Sequence, residues 1–495
     1  CQDKINASMA VEEQTMAVEY DIVIIGGGSG GLVVASAAAQ LNAKVALVEK
    51  DRLGGDCLWF GCVPSKSLLH ASRVAYEVKT ASRFGIYTTP PDLQFSAAIG
   101  HVQKVINTIQ PHDSPERFEG LGVEVIFGEG QFKDKKTFTV NGRDLKARAF
   151  VVSTGSRPKV PPIEGLAEAW FLTNEQVFSL KECPASLAVI GAGPIGCELG
   201  QALHRLGSQV IIISSRDRAL PKEDPEAALV VEKQLEAEGI RIIKGKRAQK
   251  VEVIDGKKHL WVGEEKVIVD EILVSSGRVP NVDSLNLEAA GVEYTEKGIT
   301  VNDKLQTSNK RIYGCGDVIG GYQFTHVAGY EAAVVIQNAL FFPSAKADYR
   351  VIPWATFTEP ELARVGLTEE QARKRYGDKI EVLKQDFVGV DRAQAEGATE
   401  GFAKIITTPK GQILGAHIVG RSAGELIHDI ILAMKNNLPV SALTGIIHIY
   451  PTLSEVNSKA ALQLKKRNYA KNELLQNILR NLFGFLRSIF ISVRL

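Results

Sequence analysis

The chain has 495 residues, with 58 Lys+Arg against 57 Asp+Glu and six cysteines. This length exceeds what one compact core needs, so we expect several domains. A net charge of +1 gives no overall reason to expect nucleic acid as a partner. So few cysteines are typical of a protein whose thiols stay reduced, which predicts a cytoplasmic location and makes any close cysteine pair chemical rather than structural.

A strand, a glycine-rich turn, a helix and a second strand open the folded part of the chain. The apolar run 22–25 leads into Gly26-x-Gly28-x-x-Gly31, and the next apolar strand ends at Glu49. In such a βαβ unit the first glycine permits a tight turn, the second admits a pyrophosphate and the third lets helix and strand pack closely. The acid can accept hydrogen bonds from both ribose hydroxyls, so this segment predicts a dinucleotide site.

A pair of cysteines follows this unit directly. Cys57 and Cys62 are separated by four residues, which can form a helical turn that brings the sulfurs together as a redox-active disulfide. Metal binding is the main alternative, but the sequence lacks a second cysteine or histidine pair that would complete a four-ligand site. A purely structural disulfide is the less favoured interpretation.

A second glycine fingerprint, Gly191-x-Gly193-x-x-Gly196, begins 165 positions after the first. It also lies between an apolar strand and a helix. Two such units in one chain predict two nucleotide domains.

The strand that follows the second fingerprint ends at Ser214, where a ribose-binding acid would otherwise stand. Arg216 and Arg218 come directly after it. A small polar residue followed by two arginines suits a 2′-phosphate, which favours NADPH over NADH. The alternative is that these are ordinary solvated charges, since Asp217 between them weakens the positive field.

The order of these motifs, with Thr307-Ser308-Asn309-Lys310-Arg311-Ile312-Tyr313-Gly314-Cys315-Gly316-Asp317 after them, resembles the class I pyridine nucleotide-disulfide oxidoreductases. That family includes glutathione reductase, dihydrolipoamide dehydrogenase and mercuric reductase. The resemblance covers about residues 18 to 465. It implies a homodimer that binds FAD and NAD(P)H and passes electrons from nicotinamide through flavin to the disulfide.

The expected fold class is α/β, with two Rossmann-like nucleotide-binding domains and a C-terminal α+β dimerisation domain. Alternating strands followed by amphipathic helices after residue 350 favour the α+β assignment. The predicted regions are a tail (1–18), an FAD-binding domain (19–155 and 277–350), an NAD(P)-binding domain (156–276), a dimerisation domain (351–465) and a basic amphipathic extension (466–495).

The resemblance also implies roles for single residues. Cys62 would be the sulfur next to the flavin, and Cys57 the sulfur that meets the substrate. Lys66 would lie near the flavin and pair with Glu198, while Asp317 would hold the ribityl chain. The further residues expected in the nucleotide sites are Gly55, Thr154, Gly155 and Gly277.

The C-terminal part departs from the pattern of the thiol-specific members, which carry a histidine two residues before the threonine of a HPTxxE-like motif. Aligning Thr452 and Glu455 places Tyr450 at the histidine position. A phenol with a pKa of about 10 is a poor base at neutral pH. His448 lies two residues earlier, and we favour a structural or interface role for it over that of a replacement base.

Mercuric reductases carry a tyrosine at this position, so we favour mercuric reductase-like reduction of Hg(II) or another metal ion. They also deliver Hg(II) with a C-terminal cysteine pair, whereas this sequence has no cysteine after Cys315. A dihydrolipoamide dehydrogenase or another disulfide reductase is the alternative within the family. A membrane-associated binding protein that keeps the flavin fold without turnover is the alternative from another class.

The segment 465–495 carries seven Lys/Arg against one Glu and shows an amphipathic helical pattern. It can lie on an anionic membrane surface, or pack on the dimer partner or on its own domain. Its apolar positions at helical spacing are Leu475, Ile478, Leu482, Leu486, Ile489 and Val493, and Arg480, Arg487 and Arg494 repeat on another face.

Overall fold

The computed structural model describes residues 18–89 and 91–492 and divides them into two compact units. The first unit runs to Ser215 and resumes over Lys246–Asp348, and the second comprises Arg216–Gly245 and the chain from Tyr349. The predicted tail lies outside the described residues except for residue 18, as do Val493 and Arg494. The boundaries of the three predicted domains stay predictions.

The strands follow the chain in this order: β1 (Tyr20–Ile25), β2 (Val45–Glu49), β3 (Val123–Phe127), β4 (Gly130–Asp134), β5 (Thr137–Val140), β6 (Arg143–Val152), β7 (Ser156–Pro158), β8 (Ser186–Ile190), β9 (Gln209–Ile213), β10 (Arg241–Ile243), β11 (Ala248–Ile254), β12 (Lys257–Val262), β13 (Glu265–Val269), β14 (Glu271–Val274), β15 (Arg278–Pro280), β16 (Tyr294–Thr295), β17 (Gly298–Ile299), β18 (Ile312–Gly314), β19 (Pro353–Thr356), β20 (Glu361–Gly366), β21 (Glu381–Asp386), β22 (Phe402–Thr407) and β23 (Ile413–Gly420).

The α-helices are: α1 (Ser29–Gln40), α2 (Gly55–Trp59), α3 (Cys62–Lys79), α4 (Phe95–Ile109), α5 (Pro115–Gly120), α6 (Asn174–Val177), α7 (Pro194–Arg205), α8 (Pro225–Glu238), α9 (Thr325–Leu340), α10 (Glu369–Tyr376), α11 (Asp391–Glu396), α12 (Ala423–Leu426), α13 (His428–Lys435), α14 (Ala442–Gly445), α15 (Glu455–Lys471) and α16 (Glu473–Ser492).

The first unit is built on a seven-stranded sheet with the order β3-β2-β1-β6-β5-β4, in which β18 also pairs with β6. The pairs that involve β1, β2, β3 and β18 are parallel, whereas β4 and β5 join antiparallel. Alternate residues of β1 enter two different cores, with Val23 on one face and Ile24 on the other. A strand buried on both faces explains its continuous apolar sequence.

A second parallel arrangement in the same unit has the order β9-β8-β14. Strand β8 passes directly into the second glycine fingerprint, and α7 follows it. Beside these strands the unit contains the antiparallel set β11-β12-β13 and the pairs β7-β15 and β16-β17.

The second unit contains an antiparallel sheet with the order β19-β20-β23-β22-β21. Its core includes Phe387, Ile405, Ile418 and Val456. The fold-class prediction of two Rossmann-like units and an α+β domain is thus confirmed.

The last two helices of the second unit differ in burial. Helix α15 packs on β21 and β22 and includes residues 466–471 of the predicted extension. Helix α16 forms the remainder of that extension within the described residues, and its large apolar side chains are exposed. Among the described residues, no helix is both long and apolar enough to span a membrane.

Candidate active site

Cys57 and Cys62 lie on either side of the turn that joins two helices. Cys57 belongs to α2, and Cys62 is the first residue of α3, directly after Gly61. Their sulfurs are not joined by a disulfide bond in the structure. The Cys62 sulfur lies 3.3 Å from the Thr325 hydroxyl and accepts a hydrogen bond from the Cys57 thiol.

These contacts make the two sulfurs chemically different. The hydrogen bond from Cys57 is the largest cause that lowers the pKa of Cys62 to about 6, and Thr325 and the charge of Lys66 act in the same direction against burial. The same hydrogen bond, with burial and the Cys62 charge, raises the pKa of Cys57. These contacts favour the thiolate at Cys62, at the N-terminus of α3, and the protonated thiol at Cys57.

Lys66 and Glu198 form an ion pair between α3 and α7, with 2.9 Å between Nζ and Oε2. The Glu198 carboxylate is almost fully buried, whereas the Lys66 side chain is partly exposed. A buried carboxylate requires a partner. The Glu198 carboxylate holds the Lys66 charge near the N-terminal end of α3, where Cys62 is the first residue.

The first glycine fingerprint forms a cradle with little room for side chains. A Cβ on Gly26 would lie 2.5 Å from the Ser153 carbonyl oxygen, and one on Gly31 only 1.9 Å from the Gly26 oxygen. Gly28 caps α1, and its Cα would lie 2.7 Å from a Cβ on Gly55. The backbone at this helix N-terminus is thus open to an anionic group, which fits the pyrophosphate of a dinucleotide.

Glu49 ends β2 beside this cradle. Its carboxylate accepts hydrogen bonds from the backbone N–H of Gly27, at 2.6 Å, and of Asp51, at 2.9 Å. A carboxylate offers about four lone-pair positions, so acceptor capacity remains for ribose hydroxyls.

Asp317 follows β18 and lies in a polar group that the sequence did not reveal. It accepts a hydrogen bond of 2.6 Å from Ser156, and Arg278 Nε lies 3.6 Å from its Oδ2. Arg278 also reaches Asp56, with 3.3 Å between Nη2 and Oδ1. Burial raises the pKa of Asp317, against the effects of Ser156 and Arg278. A partly buried acid with spare acceptor capacity fits a polyhydroxyl chain such as the FAD ribityl group.

Thr154, Gly155 and Gly277 lie where the chain passes between the two nucleotide-binding regions. Thr154 donates its hydroxyl proton to the Asn281 carbonyl, and the Asn281 amide donates to the Thr154 carbonyl. Gly155 and Gly277 both have positive φ, 68° and 124°. These two connecting segments lead into β7 and β15, which pair antiparallel and so fix the position of Arg278.

The second fingerprint repeats the geometry of the first. A Cβ on Gly196 would lie 2.0 Å from the Gly191 carbonyl oxygen, and one on Gly191 would lie 2.6 Å from that of Ser275. Gly193 caps α7, and a Cβ on it would meet no atom within 4 Å among the described residues. This helix N-terminus is therefore also open to a phosphate.

Ser214 is buried, while Arg216 is exposed and Arg218 is partly exposed. Arg218 Nη2 donates to the Pro221 carbonyl at 3.2 Å, and its Nη1 lies 3.7 Å from Asp217. Both arginines belong to the second compact unit.

Tyr450 is 67% exposed and donates its hydroxyl proton to Asp391 Oδ2 at 2.8 Å. This hydrogen bond, together with the negative charge of Asp391, raises the pKa of Tyr450. The phenol therefore holds its proton more firmly than an ordinary tyrosine and cannot serve as a base near neutral pH.

Glu455 begins α15, and its Oε2 is buried without a hydrogen-bond partner in the described part of the chain. Its carboxylate lies near enough to Tyr450 to contribute to the raised pKa of the phenol. His448 lies apart from this pair: its Nε2 is 3.8 Å from Asp429 and its Nδ1 is 3.3 Å from the Ile446 carbonyl.

Two family models match the chain, one over the nucleotide-binding part and one over the C-terminal part that follows it. The model of the pyridine nucleotide-disulphide oxidoreductases matches residues 20–332, and that of their dimerisation domain matches residues 352–461. The chain belongs to the pyridine nucleotide-disulphide oxidoreductase family. This oxidoreductase is therefore a member of an FAD-dependent enzyme class that takes electrons from NAD(P)H, and its dimerisation domain supports a homodimer.

Relatives of this oxidoreductase include two kinds of enzyme. It is 39% identical to a mercuric reductase of Lysinibacillus sphaericus, over 90% of this chain and 83% of the relative. It is 38% identical to a dihydrolipoyl dehydrogenase of Thermus scotoductus, over 90% of this chain and 98% of the relative. A solved structure, the Cu(II) complex of the HOCl-induced flavoprotein disulfide reductase RclA from Escherichia coli, matches with 28% identity and a TM-score of 0.82, covering 90% of this chain and 99% of that one.

Three residues at the candidate site escaped sequence reasoning. Thr325 contacts Cys62 from 263 positions away, Arg278 contacts Asp317, and Asp391 contacts Tyr450 from 59 positions away. Thr325 begins α9 and Arg278 follows Gly277, so their proximity to predicted features was a usable signal. Asp391 carried no such signal.

The reduced enzyme should be alkylated at Cys62 with a rate that is half-maximal near pH 6, because the pKa of this thiol is lowered to about 6. The thiolate is present above this pH and is lost as the pH falls below it. Lys66→Met should move the midpoint upward, since the lysine charge favours the thiolate. Stopped-flow reaction with iodoacetamide measures the profile, and a midpoint at about 8.5, the ordinary thiol value, would contradict the assignment.

Proposed function

We propose that this oxidoreductase transfers electrons from NADPH, through FAD and the Cys57–Cys62 pair, to a soft metal ion such as Hg(II). The observation that carries the proposal is the hydrogen bond from Tyr450 to Asp391. Reduction of a disulfide to two thiols consumes two protons as well as two electrons, whereas reduction of Hg(II) to the metal consumes electrons alone. A site with a firmly protonated phenol at the position where thiol-specific members of the family carry the histidine base suits the second reaction.

FAD fits the residues at the first fingerprint. Gly26, Gly28 and Gly31 would hold its pyrophosphate, Glu49 its adenosine ribose and Asp317 its ribityl chain. When bound, FAD would supply two-electron transfer between the nicotinamide and the cysteine pair.

The protein groups around the two sulfurs would control the charge and the protonation of the cysteine pair. Lys66, held by Glu198, stabilises negative charge at Cys62, and Thr325 donates to the same sulfur. Cys57 would release its proton to solvent when its sulfur binds a thiophilic ion, and closing the Cys57–Cys62 disulfide would then pass both electrons to that ion.

The relatives support a metal-ion acceptor without excluding another disulfide reductase. Mercuric reductases and a Cu(II) complex occur among them, but so do dihydrolipoyl dehydrogenases at a similar identity. Rates of NADPH oxidation with thiol-buffered Hg(II), Cu(II), lipoamide and oxidised glutathione test the proposal. We expect the best metal acceptor to exceed both disulfides in kcat/KM by at least about tenfold, and a preference for lipoamide would overturn it.

We also propose NADPH as the physiological donor. Support comes from the absence of an acid at Ser214, which is buried, and from the two arginines that follow. A 2′-phosphate carries the charge that Arg216 and Arg218 complement, whereas the free hydroxyl of NADH does not.

We further propose that the cytoplasmic enzyme contacts an anionic membrane surface through α16. Eight large apolar side chains of this helix are 38% to 72% exposed. At 100° per residue they fall within one half of its circumference, and Arg480 and Arg487 fall in the other half. Lys465 and Lys466 at the end of α15 add exposed positive charge. An apolar half flanked by arginines matches a bilayer with anionic headgroups.

Vesicle sedimentation tests this contact. The wild type should bind vesicles that contain phosphatidylglycerol, and Leu482→Glu should weaken binding by at least about tenfold, since it replaces an exposed leucine of the apolar half with a charge. Asn477→Glu makes the same charge change at an exposed position of the polar half and should weaken binding much less. If the wild type ignores these vesicles, or if Leu482→Glu alters the oligomeric state instead, α16 packs on protein.

A further inference from the structure

The loop that carries Arg216 and Arg218 continues into a buried stretch before α8. Within the second compact unit, Glu223 is 4% exposed and Asp224 is 1% exposed, although both are acids. Buried carboxylates are costly unless they are paired, so their partners must be identified.

Three strands of the antiparallel sheet each supply one hydrogen-bond donor. The donors bind the consecutive residues 222, 223 and 224. From β20, Arg364 Nη1 donates to the Lys222 carbonyl at 2.6 Å. From β19, Trp354 Nε1 donates to Glu223 at 2.8 Å. From β22, Lys404 Nζ donates to Asp224 at 3.0 Å. We call Trp354, Arg364 and Lys404 the clamp.

The members of the clamp support one another. The Arg364 guanidinium lies 4.4 Å from the centre of the Trp354 ring, and its Nη1 is 3.7 Å from Glu223 Oε2. Arg364 and Lys404 are themselves buried. Each of these buried charges therefore has an oppositely charged partner within 4 Å, which limits the alternative arrangements of the group.

The loop is also fixed from the side of α8. The Ala219 N–H donates to Glu232 Oε2 at 2.9 Å. Asp224 accepts from the N–H groups of Glu226 and Ala227 and so caps the helix. The backbone that follows Arg218 is thus held between a helix and a sheet.

Stability alone does not explain this arrangement. Apolar residues of similar size often stabilise a core as well as a buried ion pair does, whereas a polar network selects one geometry. The geometry selected here is that of the loop with Arg216 and Arg218.

We propose that the clamp is a positioning device for Arg216 and Arg218, and that it sets the preference for NADPH over NADH. This inference rests on the proposed use of NADPH. Trp354, Arg364 and Lys404 are positioning residues, since they act on the nucleotide only through the loop.

The test compares KM for NADPH and for NADH in two variants. Trp354→Phe removes the indole N–H and keeps an aromatic ring, and Glu223→Gln removes the charge and keeps the side-chain shape. KM for NADPH should rise by about fivefold or more, the effect of losing one hydrogen bond. KM for NADH and kcat should change by less than about twofold, because NADH lacks the phosphate that the arginines recognise. A merely structural role would shift both KM values together, and that result would overturn the inference.

Two further variants separate the possible failures. Ile430→Val removes a buried methylene from the core of the same unit, so it should lower the melting temperature without changing the ratio of the two KM values. The double variant Arg216→Gln/Arg218→Gln tests the proposed use of NADPH itself. If the double variant leaves the ratio of KM(NADPH) to KM(NADH) unchanged, these arginines do not recognise the 2′-phosphate and the basis proposed for NADPH use is wrong. If it raises this ratio while both clamp variants leave it unchanged, only the clamp is wrong.

Discussion

Cys62→Ser should lower NADPH-dependent acceptor reduction by at least about a thousandfold, because a hydroxyl can neither ionise near neutral pH nor be oxidised to a disulfide with Cys57. FAD content should be unchanged, since the fingerprint glycines and Glu49 lie outside the cysteine turn. Anaerobic titration of the wild type with NADPH should produce the long-wavelength absorption of a thiolate beside flavin. That band should be missing in Cys62→Ser.

Two matched variants make this result specific. Cys57→Ser should also lose turnover but keep the long-wavelength band, because the Cys62 thiolate remains. Cys183→Ser changes a half-buried thiol of the same unit, whose sulfur is 3.9 Å from the Leu203 carbonyl, and should leave the rates unchanged. Undiminished turnover in Cys62→Ser would exclude the dithiol route.

Tyr450→His should increase the rate with lipoamide or oxidised glutathione by about a hundredfold, the lower range for a positioned general base. An imidazole with a pKa of about 6.5 can take and return a proton at neutral pH, which a phenol cannot. The buried, unpartnered Oε2 of Glu455 is available to accept from the new ring. The rate with Hg(II) should not rise, because its reduction requires no proton.

Tyr469→His is the matched control, since it places a histidine at an exposed tyrosine of α15. It should leave all acceptor rates unchanged. Tyr450→Phe separates the hydroxyl from the ring and should slow the metal acceptor without improving either disulfide. If the wild type already prefers lipoamide and Tyr450→His reduces that activity, the significance given to Tyr450 is wrong.

Much of the fold was predictable because the decisive signals are local. In each nucleotide unit the strand, the glycine turn and the helix are contiguous, and steric limits at Gly26, Gly31, Gly191 and Gly196 leave few alternatives. The amphipathic pattern after Lys465 similarly predicted a helix. The structure adds its boundary, because the helix is divided between α15 and α16 at Asn472.

The environment of each reactive group was not predictable in the same way. The spacing of Cys57 and Cys62 indicates a pair, but which sulfur ionises depends on the hydrogen bond between them and on the charge of Lys66 near Cys62. Tyr450 is recognisable as a departure from the family pattern, but its partner Asp391 is not. These contacts join elements that are distant in sequence, and periodicity or spacing carries no information about them.

The sequence by itself determined the family, the two dinucleotide folds and the identity of the cysteine pair, because each depends on residues that are neighbours along the chain. Only the tertiary structure decided that Cys62 bears the charge, that Tyr450 keeps its proton and that the loop of Arg216 is held by the clamp. Protonation and position depend on burial and on charges brought within a few ångströms by folding. The net charge of +1 therefore describes the chain but not the local charges of its sites.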